Sequence, residues 1–548
     1  MPRPGRTSIR RLLAGLLAVG PAVLVLVTWH VASSRPGLLE AISDGFVMYL
    51  PLDAFEAGTQ AFGSLAKGLL YFGVTSGVLG AGMVIGVAAL RLTATRRPIG
   101  ATATIALGSF FGTELLVLPI FRAGFFGSGL DYDRVALHVP VVLASLAYGL
   151  VLVGLRETLL GAAAPRPSGM AEGSALDSAI APATTREARD GRAGSGGGLS
   201  RRLFLARTLV AVGVGSLAGS LVGVVNQVVS AARHGPSVAR VDFAPGGFGP
   251  TPALTPVADF YTVNKNVLPT EIDGRTWALE IDGLVERPQK HSLDVLRAMP
   301  AQVAYRTLEC ISTNIVRGDH LISNQKWRGV RVSDLLDQAG PTPEARYVLW
   351  LADDGFTESL PIDVARDVDT WIAYEMGDAP LTVEHGFPAR VLIAGRFGMK
   401  QPKWLRRMTL SDHDAIGYWE VRGWNQEAAV RTMSRVDFPL AGDTVPVGAP
   451  FDVYGIAFAG ERGVLRVEVS PDGGANWHEA GLEDAVLAPL GPLTWVRWRT
   501  QISLPQAGPA TIVVRATDGS GATQEGTETP PLPSGATGWH RIEVVATA

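Results

Sequence analysis

A chain of 548 residues exceeds what one hydrophobic core organises, so two or three domains are expected. Its 48 basic and 51 acidic side chains leave a formal charge of −3, which excludes a nucleic-acid surface built on clustered Lys and Arg. The single cysteine excludes an intrachain disulfide, so any part outside the cytoplasm stands on packing alone.

Apolar runs occupy residues 12–32, 69–90, 101–121, 135–155 and 205–229. Each is close to the ~20 residues a helix needs to cross about 30 Å of hydrocarbon. The pattern predicts a bundle of five transmembrane helices. Glu114, inside the third run, is costly in lipid and is expected to face its neighbours. His30 and His138 fall near the outer ends of two spans, where a lone imidazole reads as a polar anchor before it reads as a haem ligand. Arg3, Arg6, Arg10 and Arg11, then Arg91, Arg96 and Arg97, then Arg186, Arg189, Arg192, Arg201 and Arg202 mark the cytoplasmic side; Asp44, Asp53, Glu56, Asp131 and Asp133 fall on the other. That alternation places the amino terminus inside and everything after residue 232 outside.

Residues 1–160 thus read as a four-helix region and 161–200, rich in Ala, Gly, Ser and Pro, as a flexible cytoplasmic linker. Ser200-Arg201-Arg202-Leu203-Phe204-Leu205 then resembles a twin-arginine export signal, set within residues 201–232 before the fifth span. That route carries folded proteins, as a cofactor loaded in the cytoplasm would require. Val229-Ser230-Ala231 has the small residues of a cleavage site.

Residues 245–425 alternate short apolar strands with helical stretches, predicting a mixed α+β domain. Strands are expected at 277–281, 303–308, 347–351 and 389–393, with a helix after Arg331. From 430 to 548 the texture becomes strand and turn, with runs at 451–457, 464–470, 495–504 and 511–517. Their alternation predicts a β-sandwich of immunoglobulin type, acting in packing and association.

Arg306-Thr307-Leu308-Glu309-Cys310-Ile311-Ser312 places the lone thiol just past a predicted strand. A thiolate there suits a soft or high-valent metal, and Arg306 would favour its ionised form. Zinc fits poorly, since no second Cys and no suitably spaced His pair lies near. A thiol-dependent hydrolase using His320 or His385 as base stays open, as does a non-catalytic docking protein.

Leu308-Glu309-Cys310-Ile311-Ser312, Trp327-Arg328-Gly329-Val330, His385-Gly386-Phe387-Pro388-Ala389-Arg390-Val391 and Gly398-Met399-Lys400-Gln401-Pro402-Lys403-Trp404-Leu405 occur in that order. With Phe260-Tyr261-Thr262-Val263-Asn264 before them, they resemble the molybdopterin-binding domain of the sulfite oxidase family. Val467 to Trp477 is similar to that family's dimerisation domain. The resemblance implies a molybdenum oxidoreductase, which the apolar runs and the charge alternation anchor in a bacterial cell membrane with its catalytic domain extracytoplasmic. Molybdenum would be held by molybdopterin and the Cys310 thiolate. His385, Arg390, Lys400, Gln401 and Lys403 would bind the cofactor, with Tyr261, Thr262 and Asn264 closing the other side. It also implies a small-molecule substrate, an external haem-protein or quinone-linked redox partner, and a homodimer through the carboxy-terminal domain. Two departures bear on substrate. Ser312-Thr313-Asn314 stands where sulfite oxidases carry an arginine soon after the cysteine, with Arg317 farther on, and Phe356 falls near their catalytic tyrosine. A sulfoxide or N-oxide therefore fits better than sulfite.

Overall fold

The computed structural model describes residues 6–33, 35–50, 54, 65–130, 134–156, 215–216, 219, 247–266, 269–314, 316, 321–483 and 491–548. The linker 161–200, the arginine pair and nearly all of the fifth apolar run lie outside these residues, as do Arg317 and His320.

The first four apolar runs are helical. α1 (Arg6–Ser33), α3 (Leu65–Leu92), α4 (Pro98–Gly112, continued by a π turn at Thr113–Val117 and a last turn at Leu118–Ile120) and α5 (Arg134–Leu155) alternate with α2 (Leu38–Val47), a short helix absent from the sequence expectation. Among the described residues four helices, of 22 to 25 residues, are long and apolar enough to cross a membrane. The chain divides into two compact units. One contains residues 1–29, 72–117 and 138–225, and within it small residues bring helix backbones together. A Cβ on Gly15 would lie 2.5 Å from the Met83 carbonyl oxygen, so only glycine permits this approach. Glu114 is fully buried at the π turn, and its carboxylate meets His138 Nδ1 at 3.0 Å. His30, in the other unit, directs Nδ1 to the Arg35 carbonyl at 2.9 Å and Nε2 toward Glu40 at 3.4 Å. Both imidazoles are thus engaged by polar protein groups.

The second unit contains residues 30–71, 118–137 and 226–548. Its first strands are β1 (Ala278–Gly283), β2 (Gln289–Ser292), β3 (Gln302–Glu309), β4 (Ile322–Arg331), β5 (Tyr347–Ala352), β6 (Thr357–Pro361), β7 (Trp371–Met376), β8 (Ala379–Pro380), β9 (Arg390–Leu392) and β10 (Leu405–Ser411). They form two sheets, β2-β1-β10-β5-β6 and β3-β4-β7-β8, with β9 also paired to β7. Only β1 and β10 run parallel within the first sheet. The four strands expected from sequence coincide with β1, β3, β5 and β9. The helix expected after Arg331 is α7 (Val332–Ala339), which follows α6 (Leu293–Ala298) and ends at Gly340 in the left-handed conformation a C-terminal cap favours. Leu279, Ile281, Leu335, Leu336, Trp350, Ile372, Val391 and Met408 fill one core shared by strands of both sheets and α7.

From 433 onward the described residues are strand and turn, with one 3-10 turn at Gly460–Arg462. β11 (Met433–Phe438), β13 (Phe451–Phe458), β16 (Gly481–Leu482) and β17 (Val496–Ile502) make one sheet, in the order β11-β13-β17-β16. β12 (Thr444–Pro446), β14 (Val464–Ser470), β15 (His478–Glu479), β18 (Gly508–Asp518) and β19 (Arg541–Thr547) make another, in the order β12-β19-β18-β14-β15. Alternating residues of the two sheets, among them Val453, Trp498, Val467, Ile512 and Val544, share one core. The strand β11 and the last strand β19 lie outside the runs expected from sequence.

Candidate functional site

β3 ends at Glu309, so Cys310 is the first residue beyond the ladder. Its N–H still donates to the Leu321 carbonyl at 2.9 Å. This fixes the thiol at the sheet edge, nearly buried, with Sγ 3.0 Å from Ser312 Oγ. The sulfur opens on a cavity lined also by Phe260, Tyr261, Asn264, Lys265, Asp354, Phe356, His385, Arg390, Gln401, Lys403 and Trp419. Seven of the nine sequence-predicted residues meet there: Cys310, Tyr261, Asn264, His385, Arg390, Gln401 and Lys403.

Arg390 opens β9 and is buried without a carboxylate beside it. Its terminal nitrogens make only long contacts, 3.4 Å each, to the His385 and Gln401 carbonyls, and Nε has no partner among the described residues. The guanidinium sits 5.4 Å from the Trp327 ring centroid. Burial lowers its pKa to about 10. A buried cation with spare donors is costly unless an anion joins it, and a phosphate matches the guanidinium fork. The site therefore fits a phosphate-bearing cofactor on the grounds of Arg390 alone.

Around it the polar groups are fixed from behind. His385 donates from Nε2 to the Val257 carbonyl at 3.1 Å, and burial holds its pKa at about 4, so the ring is neutral near pH 7. Gln401 accepts from Ile393 N at 3.3 Å and donates to the Arg396 carbonyl at 2.9 Å. Lys403 donates to Asn264 Oδ1 and to the Glu384 carbonyl at 2.9 Å. Burial, and next the Cys310 sulfur, push the Tyr261 phenol well above its ordinary range. Asp354 accepts from Phe356 N at 2.9 Å, and burial keeps its carboxyl above the usual value despite Lys265 and Lys403.

Thr262 and Lys400 are the two predicted residues that the structure does not bring to the cavity. Thr262 makes a 3.5 Å contact to the Phe260 carbonyl. Lys400 is 1 % exposed and lies between Glu358 and Glu420, with Nζ 2.8 Å from the latter. Arg306 also departs from expectation: it pairs with Asp369 at 2.8 Å and stacks 3.7 Å over Trp371, and is not among the residues lining the cavity. Lys265, Asp354 and Trp419 line the site but escaped the sequence reading. Asp354 was within reach, two residues before the noted Phe356.

Cys310 Sγ lies 3.0 Å from Ser312 Oγ and His385 directs Nε2 to the Val257 carbonyl, so neither of these contacts joins the thiol to the imidazole. Among the described residues no three His, Cys, Asp or Glu side chains gather into a metal cluster, so a metal at Cys310 would draw its other ligands from a bound cofactor.

Residues 265–419 match the family model for an oxidoreductase molybdopterin binding domain, and residues 419–547 that for a Mo-co oxidoreductase dimerisation domain. Mitochondrial sulfite oxidase of Rattus norvegicus is 30% identical over 338 residues, spanning 53% of this chain and 61% of that protein. The uncharacterized oxidoreductase YuiH of Bacillus subtilis (strain 168) is 32% identical over 166 residues, 30% of this chain and 81% of its own length. An NAD(P)H nitrate reductase of Hordeum vulgare is 28% identical over 333 residues, 50% of this chain and 37% of that one. The chain therefore covers less than two thirds of the sulfite oxidase it resembles.

Proposed function

This chain belongs to the sulfite oxidase family of molybdopterin-dependent oxidoreductases, and from that premise we propose that it reduces a small neutral oxo compound, a sulfoxide or N-oxide, in preference to oxidising sulfite. The observation that carries this reading is that the cations lining the cavity already have partners. Lys265 is paired with the Asp44 carboxylate at 2.8 Å, while Lys403, held by the neutral Asn264 Oδ1 and Glu384 main-chain carbonyl, joins Arg390 in answering the cofactor phosphate. A substrate oxyanion would find little charge to bind, and Phe356 adds an apolar wall. A neutral S=O or N–O group needs only a few donors and an apolar surround.

Bound molybdenum supplies two-electron oxygen-atom transfer. The chain's residues then have separable roles. Cys310 holds the metal, its backbone fixed by Leu321. Arg390 grips phosphate and Lys403 adds a point charge. Neutral His385, its Nε2 proton spent on Val257, presents Nδ1 as an acceptor to the pterin. Reduction of a sulfoxide consumes two electrons and two protons and yields the sulfide and water. Asp354, whose carboxyl keeps its proton more readily than usual, lies in the same cavity as a proton source.

The electron donor is an external haem protein or quinone-linked carrier. The amino terminus lies in the cytoplasm and the catalytic domain outside it, after a fifth span and twin-arginine export. The carboxy-terminal sheets adopt an immunoglobulin-like arrangement and mediate a homodimer; the parallel pairing of β12 with β19 and the two-sheet strand order support that arrangement.

The test is metal analysis with a substrate screen. Purified full-length protein is expected to carry one molybdenum per chain, lost in Cys310→Ser, and to oxidise a reduced dye with dimethyl sulfoxide or trimethylamine N-oxide faster than it reduces a dye with sulfite. Faster sulfite oxidation would overturn the substrate preference.

A further inference from the structure

α2 lies between the first two apolar helices in sequence and is amphipathic, burying Leu38, Leu39, Ala41 and Ile42. It starts at a cap in which Glu40 accepts the Gly37 N–H at 3.0 Å, and one turn later it presents Asp44. That carboxylate does not face open solvent. Its Oδ2 accepts from Lys265 Nζ at 2.8 Å, its Oδ1 from the Tyr418 hydroxyl at 2.6 Å, and its main-chain carbonyl from Arg422 at 3.3 Å. The Lys265 side chain is 2 % exposed and that of Asp44 18 %, so the pair is sheltered chiefly on the lysine's side.

Of these partners Lys265 reaches the cavity, and Tyr418 packs behind two of its lining residues. Lys265 lines it, bonds Asn266 at 3.0 Å, and lies 5.0 Å from the Tyr418 ring centroid. Asn266 donates to the Asp354 carbonyl at 3.3 Å. Tyr418 packs 5.8 Å from Phe356 and 5.0 Å from Trp419, both lining residues. Arg422 stacks 3.5 Å over Tyr418 and secures it from outside. A residue more than two hundred positions upstream of Lys265 therefore closes the electrostatics of the wall.

The geometry points to Asp44 as a specificity-determining positioning residue: by neutralising Lys265 it makes the cavity select neutral oxo compounds over oxyanions. The inference rests on the functional reading above and names what enforces it. Charge that is paired within hydrogen-bond distance projects a weak dipolar field, whereas the same ammonium without its counter-charge would attract an anion along the cavity. Selectivity then arises from withheld attraction as much as from contacts to the preferred substrate. Although burial alone would raise its pKa, Lys265, Tyr418 and Arg422 keep the Asp44 carboxyl below its ordinary value, so it is ionised at neutral pH.

The experiment uses full-length, cofactor-loaded protein in detergent, with inorganic sulfate as the anion probe in calorimetric titration and dimethyl sulfoxide as the neutral substrate. Asp44→Asn is expected to bind sulfate about tenfold more tightly than the parent and to lower the ratio of kcat/KM for dimethyl sulfoxide to that for sulfite by a similar factor. Asp44→Glu keeps the parent behaviour, and adding Lys265→Met to Asp44→Asn removes the gain. Unchanged sulfate affinity in Asp44→Asn, or a gain that survives Lys265→Met, overturns the inference. Should Asp44→Asn not fold, Lys265→Met alone decides: with Asp44 already balancing the lysine, sulfate affinity is expected to fall less than about twofold, and a tenfold loss overturns the inference. If the parent turns over no neutral oxo compound while the sulfate series behaves as described, the functional reading fails and the charge pairing stands.

Discussion

The Tyr261 hydroxyl fills the space where a side chain at residue 398 would begin: a Cβ added to Gly398 would lie 2.8 Å from that oxygen. Both residues line the cavity, so the absence of a side chain at 398 sets how closely the two walls approach. Gly398→Ala is expected to push Tyr261 inward and to cut kcat/KM about tenfold, while the melting temperature falls by only a few degrees. Steady-state kinetics beside a thermal melt check this; a large loss of stability with normal activity in the folded fraction would refute it.

Arg390→Lys keeps a positive charge but loses the planar fork and the spare Nε donor. Cofactor retention is expected to drop ~10- to 100-fold, the size of one or two charge-assisted hydrogen bonds. Molybdenum content after dialysis reports it. Full retention in Arg390→Lys would show that charge alone suffices.

His385 gives a pH dependence whose sign is fixed by burial. Its folded pKa, about 4, lies below the ordinary value near 6.5. Stability from the neutral ring is thus complete above about pH 6.5 and is lost as pH falls toward 4, at up to ~1.4 kcal/mol per pH unit. Denaturant titrations between pH 7 and 4 should show that slope, and His385→Gln should flatten it. An unchanged slope would assign the acid sensitivity elsewhere.

Cys310, Arg390, Gln401 and Lys403 were legible in the sequence because their chemistry sits in short runs whose order along the chain is distinctive. β3, β5, β13 and β14 were legible because alternating apolar residues mark a half-buried strand. β11 carries Arg435 and Asp437 as a buried pair, 2.6 Å apart, which breaks the alternation a sequence reader looks for. Lys400 was misplaced for a related reason: its neighbours Met399 and Gln401 belong to the cofactor motif, but the 3-10 turn Gly398–Lys400 rotates its side chain into the interior. Asp44 could not have been found, since the pairing that gives it meaning joins residues far apart in sequence.

Lys400 supplies the last expectation. Its ammonium is the counter-charge for two buried carboxylates, and burial together with Glu420 raises the Glu358 pKa to about 8 even with the lysine present. Lys400→Met leaves both acids in the interior without that cation, a change expected to cost about 3–5 kcal/mol at neutral pH. The cost depends on pH in a defined direction. A carboxyl whose folded pKa exceeds its unfolded value near 4.3 stabilises the fold fully only below that value, and the contribution is lost as pH rises through the folded pKa. Removing the lysine raises the folded pKa further, so the stability gap between parent and variant should narrow at pH 5 and widen at pH 8. Adding Glu358→Gln and Glu420→Gln to Lys400→Met should recover most of the loss and flatten the dependence. Denaturant midpoints at the two pH values decide it, and a gap that is constant with pH would mean the lysine acts through packing rather than charge.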